Sequence, residues 1–149
     1  MKVEDLTLDI EESVDINGSA ADVFKSVLHR LGEGNVRPDG ESSNLQIEPW
    51  AGGRWFRDRG EGVQHLWGHV QAIKPGELLE LSGPMFMSYP AINHVEVKLT
   101  QVPDGTKVTL RHRAIGMIDP EHRKNVSTGW KGIVDLIIGD FAKSTGTKA

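Results

Sequence analysis

The sequence predicts an α+β domain, in which a curved antiparallel sheet of about six or seven strands wraps around one long C-terminal helix in the order β-α-β(5-6)-α. Three observations carry this. Residues 45–115 alternate apolar with polar and are punctuated by Gly and Pro turns. Residues 119–142 switch to a helical period behind a capping signal. A second, shorter helical stripe follows an opening strand near the N-terminus.

The elements follow in order. Leu6 to Ile10 alternates, and Val14 and Ile16 resume the alternation, so a first strand, straight or bulged, is expected. Ser19 reads as an N-cap, with Asp22 three residues on in a near capping box. Val23, Phe24, Val27, Leu28 and Leu31 then form one apolar stripe that stops at Gly32. Residues 33–44 are polar and rich in turn formers, and predict a loop with one helical turn. Strands are expected at Leu45–Glu48, Arg54–Arg57, Val63–Ile73, Glu77–Leu81, Ile92–Val102 and Lys107–Ile115, with Pro103-Asp104-Gly105 as a hairpin turn. In the last hairpin Val95, Val97 and Leu99 alternate with polar residues, as do Val108, Leu110 and Ala114, so one face packs and the other is wet. His112 shares the inward phase.

The final helix is the best-marked element. Asp119 caps it, Pro120 takes its first position and Glu121 suits its positive end. Val126, Trp130, Ile133, Val134, Ile137 and Phe141 share a stripe. From Pro120 to Ala142 it should run roughly 33 Å at about 1.5 Å per residue, enough to cross a small sheet. Gly129, Gly132 and Gly139 each weaken it by about 1 kcal/mol against Ala, which suggests a bend or the close approach of neighbouring backbone. A long helix on a bent sheet leaves a wedge, either filled by side chains or kept as a cavity.

The 149 residues suit one domain, 1–149, with 143–149 expected as a frayed polar tail. A formal net charge of -4 opposes nucleic acid as a partner. The lack of cysteine excludes disulfides, thiol nucleophiles and Cys-ligated zinc, and fits a reducing cytoplasm. No signal peptide is expected from Met1–Leu6, and no apolar run approaches the roughly 20 residues that span a bilayer, so membrane insertion is not expected.

Three stretches resemble a known family. They are Ser19-Ala20-Ala21-Asp22-Val23-Phe24, then Gly52-Gly53-Arg54-Trp55 followed by Gly68-His69-Val70-Gln71-Ala72-Ile73-Lys74-Pro75, and Gly129-Trp130-Lys131-Gly132-Ile133-Val134-Asp135-Leu136. They are similar to the START-like (SRPBCC) helix-grip superfamily, and within it to the group named after the C-terminal domain of the activator of the heat-shock protein 90 ATPase. The motifs span nearly the whole chain and are mostly structural. The resemblance implies a pocket between sheet and last helix for an apolar or amphipathic ligand. It also leaves open a cyclase, hydratase or hydrolase of the same fold, or a co-chaperone-like partner module, as a monomer or dimer. The stretch Gly83 to Pro90 matches no general family signature.

Candidate chemistry is sparse. His65 and His69, on one strand, should lie roughly 13 Å apart, too far to share a metal, so no metal site is predicted. His112 is read as a core histidine bonded to a backbone carbonyl or water, in preference to an acid or base, because no carboxylate partner is identifiable. Trp130 can stack on a ligand or fill the core, and Trp55 and Trp67 share the ambiguity. Met85-Phe86-Met87-Ser88-Tyr89 is expected as a lip or plug of the cavity mouth. The expected lining is thus Trp55, Trp67, Met85, Phe86, Val95, Val97, Leu110, His112, Trp130 and Val134, with no catalytic residue, no cofactor and binding as the expected activity.

Overall fold

A computed structural model describes residues 2–146. A short 3₁₀ turn, Val3–Leu6, leads into β1 (Thr7–Ile16) and α1 (Ala20–Leu31). Then come β2 (Leu45–Ile47), β3 (Arg54–Asp58), β4 (Gln64–Lys74), β5 (Leu78–Gly83), β6 (Ala91–Val102), β7 (Gly105–Gly116) and α2 (Pro120–Gly146). The seven strands form one antiparallel sheet in the order β1-β7-β6-β5-β4-β3-β2, and with α2 they make the helix-grip arrangement.

Local chemistry accounts for most boundaries. The Ser19 side chain accepts a hydrogen bond from the Asp22 amide at the start of α1. Asp119 accepts one from the Glu121 amide at the start of α2. β1 pairs without interruption, Thr7 opposite Ile115 through Ile16 opposite Thr106, so it carries no bulge. α2 continues to Gly146, four residues into the segment expected to fray; residues 147–149 lie outside the described residues. An intrahelical bond ladder can persist through small polar residues when the preceding turns are anchored.

Curvature comes from β4. Trp55 faces Gly68 while Phe56 faces Leu66, which leaves Trp67 as an extra residue on β4. Val70 faces Leu81 while Ala72 faces Glu80, which leaves Gln71 as another. Each bulge bends and twists the strand. At the first bend β4 and β5 come so close that only glycine fits: a Cβ on Gly68 would sit 2.4 Å from the Ser82 carbonyl oxygen, and one on Gly83 2.4 Å from the Gly68 Cα.

The core lies between the concave face of the sheet and the two helices. Val95, Val97, Leu99, Val108, Leu110 and Ala114 are buried there, as their alternation predicts. From the helices Val23, Phe24, Val27, Val126, Trp130 and Ile137 meet them. α1 and α2 are tied together by Asp140, whose carboxylate accepts from Arg30 Nε at 2.9 Å, Arg30 Nη2 at 2.5 Å and Ser26 Oγ at 2.7 Å. The Arg30 guanidinium holds the Asp140 carboxyl below its ordinary range.

Candidate functional site: an aromatic groove beside a buried histidine network

His112 is fully buried, as its phase on β7 requires. Its partners are side chains rather than a backbone carbonyl. Its Nδ1 accepts the indole N–H of Trp130 at 2.9 Å, and its Nε2 meets Asn93 Oδ1 at 2.6 Å. Asn93, also fully buried, donates through Nδ2 to the carbonyls of Gly83 and Pro84 at 3.1 Å each. An indole N–H can only donate, so His112 Nδ1 must be the acceptor and Nε2 carries the proton. Burial lowers the His112 pKa to about 4, so the ring is neutral near pH 7. The network joins α2, β7, β6 and the end of β5 through one satisfied set of polar groups.

On the flank of this core lies a groove of about 840 Å³. Trp55, Trp67, Met85 and Phe86 form one wall, and α2 forms another through Val126, Gly129, Trp130, Ile133 and Leu136. The 35–45 stretch closes the third side with Val36, Pro38 and Leu45. Polar side chains stand at Arg37, Arg57, His122, Asn125, Thr128 and Asp135.

The aromatic wall is continuous. Ring centroids are 5.2 Å apart for Trp55–Trp67, 5.7 Å for Trp67–Phe86 and 4.9 Å for Phe86–His122, each pair edge to face. Trp55 is locked by its indole N–H, which donates to the Leu31 carbonyl at 2.8 Å. The bulge on β4 is what turns Trp67 into the wall. Beyond His122 the Tyr89 ring stacks at 5.7 Å, and its hydroxyl is 2.8 Å from His122 Nδ1.

The expected lining residues divide. Trp55, Trp67, Met85, Phe86 and Trp130 border the groove. Val95, Val97, Leu110 and His112 do not; they are packed in the core behind it. Their inward phase was legible, but inward on a sheet does not separate a packed wall from an open one. Val134 is half-buried and also outside the lining. At about 100° per residue it falls on the opposite flank of Trp130 from Val126 and Ile133, which face the groove. Trp130 serves both roles: its ring borders the groove and its N–H anchors the core.

One further expectation, the close approach of neighbouring backbone to the glycines of α2, needs correction. An added Cβ on Gly129, Gly132 or Gly139 would meet nothing within 4 Å, so no neighbouring backbone presses on these glycines. Gly129 and Gly132 instead border the groove and leave it wide. Of the two expectations for the 84–89 loop, a lip or a plug, its burial matches the plug: Met85 and Met87 are buried, and Met85 and Phe86 face the groove. The loop at 35–45, His122 and Asn125 were missed. The one available signal was that His122, Asn125, Gly129 and Ile133 recur at spacings of three and four on the final helix.

His65 and His69 both lie on β4, and among the described residues no three His, Asp or Glu side chains gather as metal ligands. No helix among the described residues is long and apolar enough to cross a membrane.

Solved structures share the fold at low identity. A protein of Chromobacterium violaceum superposes with a TM-score of 0.67 at 16% identity, covering 89% of this chain and 96% of that one. A protein of Mesorhizobium loti gives 0.66 at 15%, covering 89% and 95%. The di-domain ARO/CYC StfQ from the steffimycin biosynthetic pathway gives 0.66 at 16%, covering 97% of this chain and 53% of that one. No curated protein matches the sequence. The glycine and tryptophan positions that shape the bulge and the groove fall almost wholly within residues 40–137, the stretch matched by the family described as Activator of Hsp90 ATPase homolog 1-like protein, and the chain belongs to that family.

Proposed function

We propose that the groove binds a small apolar or amphipathic molecule without transforming it. The observation that carries this reading is the groove itself: about 840 Å³ of concave space bordered by three tryptophans, Phe86 and aliphatic side chains, with a smaller number of polar side chains among them. Small-molecule sites commonly span about 300–1,000 Å³ with such a lining. Gly129 supports it too, because a helix glycine that nothing touches lowers stability and leaves only space in return.

Native mass spectrometry and thermal shift against lipids and aromatic metabolites test the proposal. At least one apolar compound should be retained and raise the melting temperature, and Gly129→Leu should abolish that shift while Gly139→Leu, outside the lining, keeps it. A chain that neither retains nor responds to any of them overturns the reading.

Catalysis through His112 draws no support from its surroundings, since both ring nitrogens are bonded to Asn93 and Trp130 and the residue is outside the lining. A chaperone-partner role through Phe86 and Met87 is likewise unsupported, as Met87 is buried and Phe86 faces the groove. A cytoplasmic location is in keeping with the cysteine-free sequence.

A further inference from the structure

The groove's polar groups differ in how they are held. Arg37 is exposed, and Asn125 and Thr128 make no side-chain hydrogen bond with the described residues. His122 is held on two sides. Phe86 meets its ring edge to face at 4.9 Å, and Tyr89 stacks on it at 5.7 Å while bonding its Nδ1 at 2.8 Å. His122 borders the groove and Tyr89 does not. The bond to Tyr89 therefore ties Nδ1 to a residue outside the groove lining. Nε2, on the other edge of the ring, makes no hydrogen bond with the described residues. A phenolic O–H is a stronger donor than a neutral imidazole N–H, so the pairing favours Tyr89 as donor and Nδ1 as acceptor. Nε2 then carries the proton and is an unengaged donor on a residue that borders the groove.

We propose that His122 is the polar anchor of the groove. Tyr89 is its positioning residue, and the Nε2–H is offered to an oxygen acceptor on an otherwise apolar, ring-bearing ligand. The ring requirement follows from the aromatic wall, which runs from Trp55 through Trp67 and Phe86 directly to His122. A ligand ring laid along that wall carries its carbonyl or ether oxygen to the imidazole. This assignment rests on the groove reading above and adds to it the chemical class of the occupant.

The test compares two probes of nearly one shape, 1-indanone with a carbonyl acceptor and indane without. Binding is followed through the indole N–H resonances. Trp55, Trp67 and Trp130 border the groove, while Trp50 is exposed elsewhere and serves as the internal control. Both probes should shift the first three signals and leave Trp50 unmoved. The ratio of the indane Kd to the indanone Kd should fall roughly tenfold in His122→Phe, the value of one lost hydrogen bond to a buried acceptor. His122→Gln, which retains an N–H, should restore part of that ratio. Tyr89→Phe should lower it a few-fold with little change in the indane Kd, which a purely structural loss would not do. A ratio unchanged in His122→Phe overturns the anchor while the shifted signals leave the groove reading standing. Neither probe moving the three groove signals overturns both.

Discussion

Protonating His112 requires a proton on the nitrogen that accepts the Trp130 indole, in a site sealed from water. Burial places its folded pKa near 4, against about 6.5 for an unfolded histidine. The folded pKa is lowered, so the unfolded chain binds the proton first as pH falls. The contribution is fully present above about pH 6.5 and is lost between there and about pH 4, to a total on the order of 3 kcal/mol. Urea midpoints at pH 7.0 and 4.5 should therefore differ, and His112→Phe should remove most of the pH dependence in that window while being less stable at pH 7. Equal pH dependence in both proteins would show that other groups dominate. The histidine's inward phase was readable from the hairpin's alternation. Asn93 shares the phase of Val95 and Val97, but nothing local tells that its partner stands on the next strand.

Among the elements, α2 and β4 respond oppositely to the same substitution. Gly139→Ala adds a methyl to open space in a helix and should raise stability by about 1 kcal/mol, seen as a higher melting temperature. Gly129→Ala should do the same and narrow the groove slightly. Gly68→Ala drives a Cβ into the Ser82 carbonyl and should lower stability by about 1–3 kcal/mol, with the Trp67 wall displaced. A rise in melting temperature for Gly68→Ala would refute the close crossing. The glycines of β4, β5 and α2 thus have separate reasons. Gly68 and Gly83 permit a bend, and Gly129 leaves a space.

At the scale of the whole molecule, the Arg30–Asp140 clasp reaches the groove. Arg30 Nη1 donates to the Gly34 carbonyl at 2.9 Å, and Asn35 Nδ2 donates to the Arg30 carbonyl at 2.8 Å. Asn35 in turn accepts from the Ser43 hydroxyl. Asp140 on α2 thereby steadies the loop that closes one side of the groove. Asp140→Ala should speed amide hydrogen exchange at residues 34–43 more than in β6 and β7, and weaken the binding of groove probes a few-fold. Uniform exchange across the chain would sever the clasp from the loop.

Alternation, capping and the Gly-Pro turns determined the element order and the inward faces of β6 and β7, and three short motifs carried the family resemblance, because each is written in neighbouring residues. The flank of α2 that faces open space was decided only by tertiary structure. So were the bulge that turns Trp67, the burial of Met85 and Met87 and the pairing of Tyr89 with His122. A groove is the gap between surfaces supplied by segments far apart in the chain, and its width depends on how the strands bend and where the helix lies. Periodicity marks a residue as facing inward. Whether it meets a neighbour or an empty space is settled by what the distant segments bring opposite it.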